Sequence, residues 1–341
     1  MNYGDILSDT FRKMWEEKKL WVISAVGVAL FALMTIIYSG GMMGWQMNWM
    51  QAWPELENAA TEEEIIDWMI QLSLGYLGLF GFMSLFYVGG YFINLIARAG
   101  VVAEAARAFR GEKTDISRGL KEGVRKAPAF FALDLLWALP WIAGALLGVI
   151  LVGVLAGGTI AALFADGSDE FATLFPAMFG GLFLAMMTFT CLALIYSAFK
   201  GVFAPLMYQA AAGGDKALGE AIREGWRLAR ENLGPMVVIL ILFWAIMLGL
   251  SILLRILSFP LSFMMMGPWF NMMNAMEAGT MPERMQPANW LLVGIGAIGT
   301  GALTWLWMSL RQTIFLTLYA RVYHELSEQE RDEESALVLS Q

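Results

Sequence analysis

The sequence predicts an all-α membrane protein. It would have six transmembrane helices, built as three repeats of an interfacial amphipathic helix plus a two-span hairpin, with both termini in the cytoplasm. Three observations carry this. First, 58% of the 341 residues are hydrophobic and only 15% are charged, against about half and a quarter in a soluble globular chain. Second, several apolar runs exceed the roughly 20 residues that cross a hydrocarbon core of about 30 Å. Third, basic residues segregate by loop. Of 22, all but Arg255 and Arg284 precede span one, lie between spans two and three or four and five, or sit at or after the end of span six. The alternate loops are acidic, with Glu62, Glu63, Glu64 and Asp67 in one and Asp166, Asp169 and Glu170 in another. The positive-inside rule then sets the orientation.

In chain order, residues 3–18 read as an amphipathic helix with Ile6, Leu7, Phe11, Met14 and Trp15 on one face, suited to lie at the cytoplasmic interface. Span one covers about 20–39 and is expected to be retained rather than cleaved as a signal peptide. An external segment rich in Trp and Met follows, in which Trp45, Trp49 and Trp53 suit the headgroup region. Thr61 to Glu64 has the spacing of a capping box. Span two covers about 72–97 and continues to a stop at Gly111, and Asp115 opens a second amphipathic helix, DISRGLKEGVRK. Residues 127–165 are apolar almost throughout, too long for one straight crossing, and Pro128 and Pro140 are expected to kink them. Span four runs from about 174 to a break at Gly213-Gly214. The third amphipathic helix, 216–232, leads into span five, 235–256. An external loop, 258–288, holds most of a methionine cluster, and span six begins near Trp290. The acidic tail, 327–341, is expected to be disordered.

GLKEGVR at 119–125 and AIREGWR at 221–227 share an apolar-basic-Glu-Gly-apolar-Arg pattern 102 residues apart. The N-terminal segment fits more loosely, with Asp9-Thr-Phe-Arg12 over Glu224-Gly-Trp-Arg227. The repeats are placed at about 1–113, 114–215 and 216–326, forming one domain. Such repeats often frame a site where they meet, and duplication for stability alone accounts for them equally.

The residue singled out inside a span is Asp134. An acid in hydrocarbon is costly unless paired or wetted. Arg98, Lys200 and Arg311, at the inner ends of the even spans, are its candidate partners. Two readings stay open: a polar centre on a substrate or proton path, and a structural ion pair. Arg255 is expected to snorkel to the outer surface. Gly294-Ile-Gly-Ala-Ile-Gly299 has the letters of a dinucleotide fingerprint but no strand or βαβ context, so it reads as helix packing. Gly144, Gly148, Gly153 and Gly157 read as close-approach faces. The external methionines, with Met47-x-x-Met50 and Met273-x-x-Met276, admit a Cu(I) reading, but methionine also fills apolar gaps and no external His or Cys supports a metal. His324 is the single histidine and Cys191 the single cysteine. No Walker loop, HExxH, CxxC or nucleophile elbow is present, so neither catalysis nor a cofactor is expected. The basic flanks are interleaved with acids and suit anionic lipid headgroups rather than nucleic acid.

The segments LGEAIREGWRLARENLGPMVVILIL and ISRGLKEGVRKAPAFFALDLL resemble a group of bacterial multi-pass membrane families. The nearest named one is the membrane domain that accompanies some glycerophosphoryl diester phosphodiesterases. That resemblance implies a non-catalytic domain of the bacterial cytoplasmic membrane and assigns no functional residue. The expected role is an accessory or membrane-organising protein contacting lipids or a membrane partner. The alternative is a transporter or lipid-handling protein with a polar cavity near Asp134.

Overall fold

A computed structural model describes residues 2–57, 61–165, 168–277 and 287–339. All the regular structure among them is helical: α1 (Tyr3–Glu16), α2 (Lys19–Glu57), α3 (Glu62–Phe109), α4 (Ile116–Ala165), α5 (Ser168–Tyr208), a π-helical turn (Gln209–Gly213), α6 (Leu218–Glu231), α7 (Leu233–Glu277) and α8 (Pro287–Leu339). Six stretches are long and apolar enough to cross a membrane: Lys19–Met42, Ser73–Phe109, Ile116–Gly148, Met186–Gly213, Leu233–Gly267 and Trp290–Gln329. Their outer surfaces carry exposed Leu85, Leu147, Leu194, Ile195, Leu248 and Phe259. Water would penalise such a surface and lipid tails accept it. The chain is thus a multi-pass membrane protein by the length and surface of its helices.

Helix ends follow local chemistry. The Asn2 side chain accepts from the Gly4 N–H and opens α1. Gly111, at φ +83°, turns the chain after α3 where a side chain would be strained. The Asp115 side chain then caps α4 by accepting from the Arg118 N–H at 2.8 Å. Asn232 closes α6 through its own N–H and its side chain, both donated to the Leu228 carbonyl. Pro235 follows in the first turn of α7, where its missing N–H removes no bond.

The helices extend beyond the expected boundaries. α2 runs to Glu57 and α7 to Glu277, so the segments read as external loops continue as helix. α4 is one helix of 50 residues, about 75 Å long at about 1.5 Å per residue. Its amphipathic start therefore joins span three without a break, whereas α1 and α6 are separate from the spans that follow them. The chain between Arg125 and span three lacks the Asn-Leu-Gly-Pro stop that separates α6 from α7. Pro128 and Pro140 both lie inside α4. Near Pro140 the Tyr196 hydroxyl donates to the Trp137 carbonyl at 2.6 Å, a cross-helix bond one residue from the Leu136 carbonyl, whose helical donor the proline removes. Residues 327–339, expected to be disordered, continue α8. Good helix formers there are preceded by Arg321–Glu325 and His324–Glu328 pairs at i, i+4.

The chain forms two compact units, residues 1–127 with 241–341, and residues 128–240, where the sequence was read as one domain. In the first, α2 packs on α3 and α8, with Leu20, Ala105 and Ala320 at one level of its core. Further along, Gly27 lies against Asn94 and Ala97. α1 lays Ile6, Thr10 and Met14 inward, and an Asp9–Arg321 ion pair at 3.2 Å joins it to α8. In the second unit, α4 and α5 meet through rings: Phe130 on Tyr208, Trp137 on Tyr196 and Phe199, and Trp141 on Phe189. α6 packs on α5, with Trp226 against Phe203 at 4.5 Å.

Within lipid the hydrophobic effect does not draw helices together, so close backbone approach matters more. The two glycines of the shared motif show it. A Cβ at Gly123 would overlap the Ile96 carbonyl on α3, and one at Gly225 would lie 2.6 Å from the Met207 nitrogen on α5. Gly225→Leu should therefore lose about 1–3 kcal/mol by overpacking, read as a lower melting temperature in detergent. Gly219→Ala, in open space on the same helix, should be neutral or stabilising by up to about 1 kcal/mol.

Candidate functional site

Asp134 is positioned by α4, which turns Phe130, Leu133, Asp134, Trp137 and Trp141 to one side at helical spacing. Phe130 and Leu133 are fully buried and Trp137 is 6% exposed, while Asp134 is half-buried. The Tyr208 hydroxyl, at the last residue of α5 before the π-helical turn, donates to Asp134 Oδ1. Tyr208 was not among the expected partners. It stands 74 residues from Asp134, and a tyrosine in PLMYQAAA carries no local signal of a carboxylate partner.

The structure distributes the four expected residues over both units. Lys200 lies with Asp134 in the second, half-buried on α5 and on the side of that helix that presents Tyr196, Phe199 and Phe203. The ring pairs set the register of α4 on α5, and they place Lys200 at the level between Trp137 and Asp134. Arg98, half-buried on α3, and Arg311, exposed on α8, belong to the first unit. The Trp137 indole N–H is buried with no hydrogen-bond partner. Chemically, the α4–α5 seam offers one carboxylate, two phenols, one cation and one unmet donor in an aromatic wall. It offers no nucleophile paired to a base.

A second polar cluster went unnoticed in the sequence. Glu104, near the end of α3, is fully buried, and four donors saturate its carboxylate. Arg118 Nε and Nη2 approach at 2.9 Å each, Arg107 Nη1 at 2.7 Å, and the Asp115 N–H at 2.8 Å. Beside it, Lys19 Nζ donates to the Thr114 carbonyl at 2.7 Å, and the Thr114 hydroxyl donates to Glu17. One corner thus ties α2, α3 and α4 together at the basic end of the bundle. The Arg118 N–H holds the Asp115 carboxyl below the usual carboxylate range. Its contribution to stability is present above the ordinary value of about 3.9 and is lost as pH falls through the lower, folded value.

Other sequence features resolve more simply. Gly296 and Gly299 pack on Met265 and Leu261 of α7, as helix packing requires. Gly144 meets the Phe189 ring, but Gly148 has nothing within 4 Å, so it is not a close-approach position. Arg255 is exposed on α7, inside the apolar stretch Leu233–Gly267 and about 33 Å from the start of that helix. His324 pairs with Glu328 at 3.2 Å, and Cys191 is exposed. Among the described residues no group of three His, Cys, Asp or Glu could hold a metal. The side chains of Trp45, Trp49, Trp53, Met47, Met50, Met276, Gly153, Gly157 and Arg331 lie outside the described residues.

Compared with known proteins, the chain matches no family model, no curated protein and no solved structure.

Glu104→Gln should cost about 3 kcal/mol, the low end for a broken buried pair because Arg118 reaches water. Glu112→Gln, at an exposed pair, should cost less than about 1 kcal/mol. Tyr208→Phe should cost about 1 kcal/mol through the lost bond to Asp134. Thermal unfolding of the three variants in one detergent checks the order.

Proposed function

We propose that this chain is a non-enzymatic integral membrane protein of a bacterial cytoplasmic membrane, with both termini cytoplasmic. It acts as an accessory or membrane-organising protein, contacting lipids or a membrane partner through short amphipathic helices at its cytoplasmic face. The resemblance to the membrane domain that accompanies glycerophosphoryl diester phosphodiesterases fits this reading, and so does a threefold repeat of helix plus hairpin.

The observation that carries it is the way α1 and α6 are mounted. α6 buries Ala221, Gly225, Leu228 and Ala229 on α5 and leaves Arg223, Arg227 and Arg230 exposed. α1 buries Ile6, Thr10 and Met14 and leaves Arg12 exposed. Each is a strip packed on a spanning helix whose outward face interleaves these cations with exposed acids, Glu220 and Glu231 on α6 and Asp5 and Glu16 on α1, a pattern suited to the headgroup layer. Reporter fusions test the orientation. A cytoplasmic reporter should be active when fused after residues 113, 215 and 341, and a periplasmic reporter after 58, 167 and 282. The opposite pattern would overturn it.

The second reading is a transporter or lipid-handling protein with Asp134 as its polar centre. The buried, unpartnered Trp137 donor one turn from Asp134 favours it. Asp134→Asn separates the two: flux across proteoliposomes lost with melting temperature unchanged supports transport, and unchanged behaviour in both assays supports the organising role.

A further inference from the structure

The single apolar face expected for α1 divides in two. Ile6 and Met14 are turned inward and buried, at 1% and 4% exposure, whereas Phe11 and Trp15 lie on a second stripe, 38% and 71% exposed. Leu7, half-buried, continues that stripe one turn earlier. An unpaired stripe of this kind on a soluble protein would mark a docking surface. Here its surroundings define the occupant.

The stripe ends beside the membrane. The Trp21 indole, on the first turn of α2, donates to the Met14 carbonyl at 3.0 Å. The Lys18 carbonyl accepts the Trp21 and Val22 N–H groups, so α2 begins its first turn three residues after Trp15. The candidate span itself opens at Lys19. Trp15 therefore stands four residues before the start of a candidate bilayer crossing, across the short break between α1 and α2. The Lys18 ammonium stands 5.8 Å from the centre of the Trp15 ring, and Lys18 is exposed. Of the α1 carboxylates, Asp9 is engaged with Arg12 and Arg321 and Glu16 with Lys13, while the exposed Asp5 lies at the far end of the helix. An exposed indole with a cation over its ring, at the mouth of a span, matches the chemistry of a lipid headgroup layer: apolar glycerol and acyl roots beside phosphate.

We infer that the Leu7–Phe11–Trp15 stripe of α1 is embedded in the headgroup layer, and that Lys18 with Trp15 forms a contact site for the phosphate of an anionic glycerophospholipid. This rests on the membrane reading proposed above and names its lipid partner. The site recognises a headgroup carried by a bilayer, since its apolar half has no use for a free phosphate.

The test uses the full chain with Cys191→Ser, so that introduced cysteines are unique, in nanodiscs of phosphatidylcholine and phosphatidylglycerol. A nitroxide at Phe11→Cys should collide several-fold more with oxygen, relative to a water-soluble nickel chelate, than one at Glu16→Cys on the water side of α1. Equal ratios at the two positions would overturn the embedding. In native mass spectrometry, Lys18→Gln should lower retention of phosphatidylglycerol over phosphatidylcholine about fivefold, the loss expected for one basic residue at an anionic surface. No change, or displacement of the lipid by soluble glycerol phosphate, would overturn the phosphate site. A dimer appearing only in protein with free Phe11 and Trp15 would assign the stripe to a second copy and also overturn it. The reporter fusions are independent of all these outcomes, so the lipid site and the overall orientation fail separately.

Discussion

The Glu104 carboxylate is the constraint on which the basic end of the first unit depends. It is fully buried, where an unmatched charge costs several kcal/mol, and every lone pair direction is used by Arg118, Arg107 or the Asp115 N–H. That saturation fixes the α3–α4 corner. The corner in turn brings Gly119 and Gly123 against α3, closely enough that a side chain at either would collide. Thr114, held at the corner, engages both Lys19 and Glu17 and so sets where α2 leaves α1. Which stripe of α1 is left exposed is set by these contacts together with the packing of α1 on α8, where Asp9 meets Arg321.

Helix packing inside the membrane is governed by fit. Exposed Leu, Ile and Phe on the spans gain nothing by meeting one another in lipid. The units cohere where small residues let backbones touch, as at Gly27 on Ala97 and Gly225 on Met207, and where aromatic rings interlock, as between α4 and α5. Polar bonds add specificity at a few points, such as Asn94 to Gln312 at 2.9 Å between α3 and α8. Asp134 belongs to this set. Its bond to Tyr208 lies between two ring contacts, Phe130 on Tyr208 and Trp137 on Phe199.

What the sequence revealed was what is local. Six apolar runs, the stop at Gly111, the cap at Asp115 and the break at Gly213-Gly214 each rest on chemistry within a few residues, and each is found. Features that depend on distant partners were not legible. Glu104 sits in an alanine-rich stretch, and its principal partner Arg118 is 14 residues away across a corner. The Asp134–Tyr208 bond spans two helices. The split of the α1 apolar face into Ile6 and Met14 against Phe11 and Trp15 depends on where α8 lies. The continuity of α4 escaped because the charged amphipathic segment reads as separate from the span, with kinks expected at two prolines; Tyr196 supplies a donor near one of them.

Asp134 is hydrogen-bonded to Tyr208 within a packed aromatic seam, which agrees with the proposal that the protein works at its lipid-facing helices rather than at a polar cavity. A high-resolution density map of the protein in lipid nanodiscs, read around Asp134, tests this most directly. Asp134 should be bonded to Tyr208 between the Phe130 and Trp137 rings, with no solute density beside it. A water-filled cavity reaching Asp134 and Lys200 and holding density for a solute or lipid headgroup would contradict it.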